Sequence, residues 1–76
     1  MGNTPLDHVF RANLRALRKA KGLTQVQAAR LLKMTQGAYS QLEAGESSPS
    51  LATVHKVARA FRVEAFELLA ALEAVP

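Results

Sequence analysis

Four hydroxyl residues punctuate this chain, and each stands where a helix can begin. Thr4 precedes Pro5, with Asp7 placed to complement a helix dipole. Thr24 is followed three residues later by Gln27, a capping-box pairing. Thr35 opens a third segment, and Ser50 caps a fourth after the loop Glu46-Ser47-Ser48-Pro49. Between these starts, apolar residues recur at helical rather than alternating spacing, as in Leu6, Phe10, Leu14 and Leu17. Gly22 and Gly45 supply stops. No segment alternates with the two-residue period of a strand, and β-branched residues are sparse. Helix four should turn Leu51, Val54, Val57, Ala58 and Phe61 inward. After a break at Arg62-Val63, a fifth helix is expected over residues 64–75. The fold class predicted is therefore all-α: a compact five-helix bundle in a single domain, residues 1–76.

Size narrows the possible functions. A chain of 76 residues buries only about 60% of the surface it exposes when unfolded, which leaves little room for a deep catalytic cavity. Cysteine is absent, so disulfides and thiolate metal sites are excluded. His8 and His55 have no carboxylates at ligand spacing, and no metal or cofactor is expected. The serines form no nucleophile elbow, so an enzyme is not expected. Met1 to Leu6 lacks a basic start followed by an apolar run, and the longest apolar stretch falls short of a membrane span of roughly 20 residues. The expectation is a cytoplasmic protein with no membrane association and no small-molecule ligand.

Charge placement is more informative than the net value of +4. Arg11, Arg15, Arg18, Lys19, Lys21, Arg30 and Lys33 lie in a stretch with no acid, whereas the chain from Glu64 onward has acids and no base. Such asymmetry suggests that the N-terminal half meets a polyanion.

The third helical segment supplies the candidate contact surface. At about 100° per residue, Gln36, Gly37, Ser40, Gln41 and Ala44 share one face roughly 140° wide, with Ala38, Tyr39 and Leu42 opposite. The outer face is uncharged, low in bulk and tipped with amides. That suits a DNA major groove about 12 Å wide, where glutamine pairs bidentately with adenine. Thr35 and Gln36 lie where the N-terminal residues of a recognition helix approach the duplex.

These residues, in one register, resemble the helix-turn-helix of the lambda-repressor/Cro-type (XRE) family. The match runs through Leu14-Arg15-Ala16-Leu17-Arg18, Gly22-Leu23-Thr24-Gln25, Ala29, Thr35-Gln36, Leu42-Glu43, Gly45 and Pro49-Ser50-Leu51. It spans roughly residues 6 to 69. The resemblance implies a lambda-repressor-like bundle with the helix-turn-helix at helices two and three. It also implies base reading by Gln36 and Gln41, with Gly37 and Ser40 beside them, and phosphate contacts from Thr24 and Gln25. Thr35 joins the phosphate set, as do Ser47 and Ser48 in the following loop. Arg18 and Glu43 are implied to pair as a structural ion pair between helices one and three.

Three positions depart from the family pattern. Lys33 replaces the usual turn glycine, so a left-handed backbone there would cost on the order of 1 kcal/mol. Ala28 replaces a leucine of helix two, so Leu31 or Leu32 must fill that space. Glu46 places an acid where phosphate would approach.

The fifth segment, EAFELLAALEAV, is apolar nearly all round and suggests a covered partner face. A symmetric homodimer through Phe66, Leu69 and Leu72 is expected, reading a pseudo-palindromic operator of double-stranded DNA. The function expected is a sequence-specific transcriptional regulator: a repressor, a restriction–modification controller or an autoregulating antitoxin. The competing class is a protein–protein adaptor of the same fold without a specific DNA site.

Overall fold

The structure is a computed structural model, described here over residues 4–70. It contains α1 (Pro5–Ala20), α2 (Gln25–Leu31), α3 (Gln36–Ala44), α4 (Leu51–Phe61) and α5 (Ala65–Leu68), and no strand among the described residues.

Each long helix begins where a short polar side chain replaces a missing backbone partner. The Thr4 hydroxyl accepts from the Asp7 amide at 3.1 Å, and the Asp7 carboxylate accepts from the Thr4 amide in return. Thr24 and Gln27 repeat this reciprocal cap on α2. Thr35 accepts from the Ala38 amide, and Ser50 from the Thr53 amide. The ends are as local as the starts. Gly45 closes α3 at φ 81°, a left-handed conformation open to glycine without a side-chain clash.

Two larger residues also adopt that conformation. Lys33 has φ 56° in the turn between α2 and α3, so the backbone there is left-handed and bears the strain of a side chain. Arg62 has φ 59° and ends α4 before the break that leads to α5.

The core draws on all five helices: Phe10 and Leu14, Ala28, Ala29 and Leu32, Tyr39 and Leu42, Val54, Val57, Ala58 and Phe61, and Leu68. Here α2 packs on α3, α1 lies against α3 and α5, and α4 also packs on α5. The space left by Ala28 goes to Leu32, which is 1% exposed, while Leu31 remains 45% exposed.

Three expectations need correction. Leu51 is 85% exposed rather than inward, because it is the first residue of α4 and stands at the rim of the bundle. Leu6, at the corresponding end of α1, is 53% exposed for the same reason. Both flank a shallow groove that also contains Phe10, Pro49, Val54 and Leu69.

The fifth helix is shorter than the expected 64–75. It ends at Leu68 with Leu69 as its C-cap; residues 71–75 of the expected span lie outside the described residues. Buried Asn13 supplies a physical cause. Its side-chain Nδ2 donates to the carbonyls of Glu67, Leu68 and Ala70 at 3.1, 2.8 and 3.0 Å, sharing two protons among three acceptors. Those carbonyls are drawn to α1, which caps the helix end from outside.

Candidate nucleic-acid interface

The capped turn from Leu32 to Thr35 sets α3 against α2, with Tyr39, Leu42 and Glu43 buried and the opposite side outward. Gln36, Gly37 and Gln41 are exposed, as is Ala44, and Ser40 is half-buried among them. No heavy atom lies within 4 Å of where a Cβ on Gly37 would stand. The face is thus open around its two amides.

Behind it lies a charged network. Arg18 Nε donates to Glu43 Oε2 at 2.7 Å and Nη2 donates to Oε1 at 3.2 Å, a bidentate pair joining α1 to α3. The third Arg18 nitrogen, Nη1, donates to the Leu23 carbonyl at 2.9 Å and so ties down the entry to α2. Tyr39 donates its hydroxyl to Glu43 Oε2 at 2.5 Å, and Gln25 Nε2 donates to Oε1 at 3.1 Å. Glu43, 2% exposed, has its carboxylate fully engaged. Burial alone would raise its pKa, but hydrogen bonds from Arg18, Tyr39 and Gln25 outweigh that and hold it below the ordinary 4.5. Burial, with the neighbouring carboxylate, pushes the Tyr39 phenol far upward, so Tyr39 stays a donor.

The same end of α3 collects two more arginines. Arg15 Nη2 donates to the Glu43 carbonyl at 3.3 Å. The Arg11 guanidinium packs over Gly45, where a Cβ would clash with it, and meets His8 Nδ1. Arg11, Arg15 and Arg18 therefore serve the C-terminal end of α3, whose dipole favours cations. Lys19, Lys21, Arg30 and Lys33 are exposed, and with the half-exposed Arg15 they supply the outward positive charge of this stretch.

The phosphate-side candidates divide. Thr24 and Thr35 are exposed, and each uses its hydroxyl oxygen to cap its helix, which leaves the hydroxyl proton to be donated outward. Gln25 is half-buried and turned into the network, with its Oε1 accepting from Ser40 Oγ at 3.3 Å. Ser47 is exposed in the loop after α3. Ser48 is exposed as well, beside α1, where hydrogen bonds from Thr4 and then Ser48 hold the Asp7 carboxyl below its usual range. Of the partner-face candidates, Phe66 is 69% exposed, Leu69 packs partly against the core, and Leu72 lies outside the described residues.

Sequence reasoning missed Gln25 and Tyr39 as ligands of Glu43, and Asn13 as a cap. Tyr39 and Glu43 do stand four residues apart on one helix, a spacing that brings side chains together. Asn13 interrupts an apolar stripe, but nothing local indicates its partners. Among the described residues, no three histidine or acidic side chains gather to hold a metal, and no helix is long and apolar enough to cross a membrane.

The helix-turn-helix family profile matches residues 14–68, and the chain belongs to that family, in its lambda-repressor/Cro type. It is thereby placed among the DNA-binding regulators of transcription. The crystal structure of a hypothetical transcription factor, NHTF, from Neisseria is similar, with a TM-score of 0.85 and 29% identity over 91% of this chain and 79% of that one. No curated protein matches the chain.

Proposed function

We propose that this protein is a homodimeric regulator that binds a pseudo-palindromic operator, with α3 of each subunit in the major groove. Gln36 and Gln41 read base edges, with Gly37 and Ser40 allowing close approach. Thr24, Gln25, Thr35, Ser47 and Ser48 face the backbone and fix register, which carries no sequence information in itself. Ser48 and Gln25 take part with whatever capacity their internal bonds leave. The subunits join through the C-terminal segment, by Phe66, Leu69 and Leu72.

One observation carries this reading. The exposed side of α3 holds two amides and no charged side chain, while its only acid, Glu43, is buried and neutralised by Arg18. An uncharged amide face gains little from water-facing solubility and much from hydrogen-bonding base edges.

Selection of bound duplexes from a random pool, at stated salt, tests it. The expected result is a two-fold-symmetric consensus with half-sites about 34 Å apart, and affinity that falls steeply with salt. Gln41→Ala should relax preference at one base position, losing about 1–3 kcal/mol of discrimination there. Gln41→Ala and Gln25→Ala variants that both bind selected and random DNA as wild type does would favour the adaptor reading instead.

A further inference from the structure

The Glu43 network reaches the outer face of α3 at one residue, and it fixes what that residue can offer a base. Glu43 accepts from Arg18, Tyr39 and Gln25. An ionised carboxylate can only accept, so the nitrogen of the Gln25 amide must face it and the amide oxygen must face elsewhere. That oxygen meets Ser40 Oγ at 3.3 Å. An amide oxygen has no proton to give, so the serine donates. A hydroxyl has one proton; once it is committed inward, only lone pairs remain for an outside partner.

Position makes those lone pairs accessible. Side chains on a helix lean over the preceding turn. Ser40 therefore leans over Gly37, where no Cβ stands and no heavy atom would crowd one. Gln36 and Gln41 flank this opening on the exposed face.

We infer that Ser40 reads DNA as an acceptor only and selects an amino base, adenine or cytosine, over thymine or guanine at one position of each half-site. This rests on α3 being the groove-facing helix. In the major groove, adenine N6 and cytosine N4 donate whereas thymine O4 and guanine O6 accept, and an unconstrained serine serves either. Here the choice is made from the core. Arg18 and Tyr39 hold Glu43 anionic, Glu43 orients the Gln25 amide, and the Gln25 oxygen accepts the serine hydroxyl's hydrogen bond. Gln25 is a positioning residue for Ser40 in addition to any backbone contact.

Functional-group deletion in a duplex selected by the wild-type protein tests the assignment. Each adenine is replaced by purine, which lacks the N6 amino group, and each cytosine by its analogue lacking N4. Thymine and guanine are replaced by analogues lacking O4 or O6. Loss of one particular amino group should weaken wild-type binding roughly three- to ten-fold, the scale of one hydrogen bond. Ser40→Ala should be weaker by the same factor on the parent duplex and should lose nothing further at that base. Gln25→Ala, which frees the serine proton, should weaken binding generally and accept a keto base there.

A Ser40-dependent loss that follows a deleted O4 or O6 overturns the inference. So does the absence of any Ser40-dependent base in a variant that melts like wild type, or an unchanged amino preference in Gln25→Ala. A selection that enriches no duplex defeats the groove-facing role of α3 itself, a failure visible before Ser40 is varied, and the serine assignment falls with it.

Discussion

Glu43 is the residue that ties the candidate interface to the core, because three donors from three segments end on one buried carboxylate. Truncating it leaves Arg18 and Tyr39 without their acceptor and frees Gln25. A buried pair adds little net stability, yet removing one member typically costs about 3–5 kcal/mol. Glu43→Ala should therefore lower the melting temperature by more than 10 °C, at several degrees per kcal/mol for a domain of this size, and weaken DNA binding with it; an unchanged calorimetric melt would refute this. The pH dependence follows from the same contacts. Glu43 has a folded-state value held below 4.5, so its stabilisation is fully present above the unfolded value and is lost as pH falls through the folded one. Stability should drop on acidification below about pH 4.5, and Glu43→Gln should flatten that part of the profile, as read by urea midpoints across pH.

At the scale of elements, two junctions contrast a strained turn with a borrowed cap. Lys33 holds φ 56° between α2 and α3. Lys33→Gly removes about 1 kcal/mol of strain, part of it offset by the freer unfolded chain. The melting temperature should rise by about 2–4 °C in a circular dichroism melt. The end of α5 is fixed by Asn13 rather than by its own sequence. Asn13→Ala leaves three carbonyls short of a donor and should cost about 1–3 kcal/mol. Amide exchange of residues 67–69 should quicken more than that of α3, and equal acceleration of both would count against the cap.

For the whole molecule, Phe66, 69% exposed on α5, is the side chain on which the proposed dimer turns. If it seals a two-fold interface, light scattering at micromolar concentration should give twice the chain mass of 8.2 kDa. Phe66→Asp should return that to one chain without lowering the melting temperature of the subunit, and should reduce operator affinity to that of a half-site. A wild-type mass of one chain would remove the dimer and with it the two-fold operator.

What the sequence determined by itself is the set of features made within three or four residues. The caps at Thr4, Thr24, Thr35 and Ser50 satisfy amides three positions away, and the stop at Gly45 needs only a backbone conformation. The outward amides of α3 follow from helical periodicity in the same way. Tertiary structure decided whatever joins distant segments. Arg18 and Glu43, 25 residues apart, could be paired beforehand only through the family resemblance. The bond from Gln25 to Glu43, the choice of Leu32 over Leu31 and the end of α5 had no local sign. Periodicity placed Leu51 on the correct stripe but gave no measure of how far the bundle extends to cover it. The polarity of Ser40 is the extreme case: nothing in its own helix commits the proton, and Gln25 of α2, oriented by the buried Glu43 carboxylate, directs it inward.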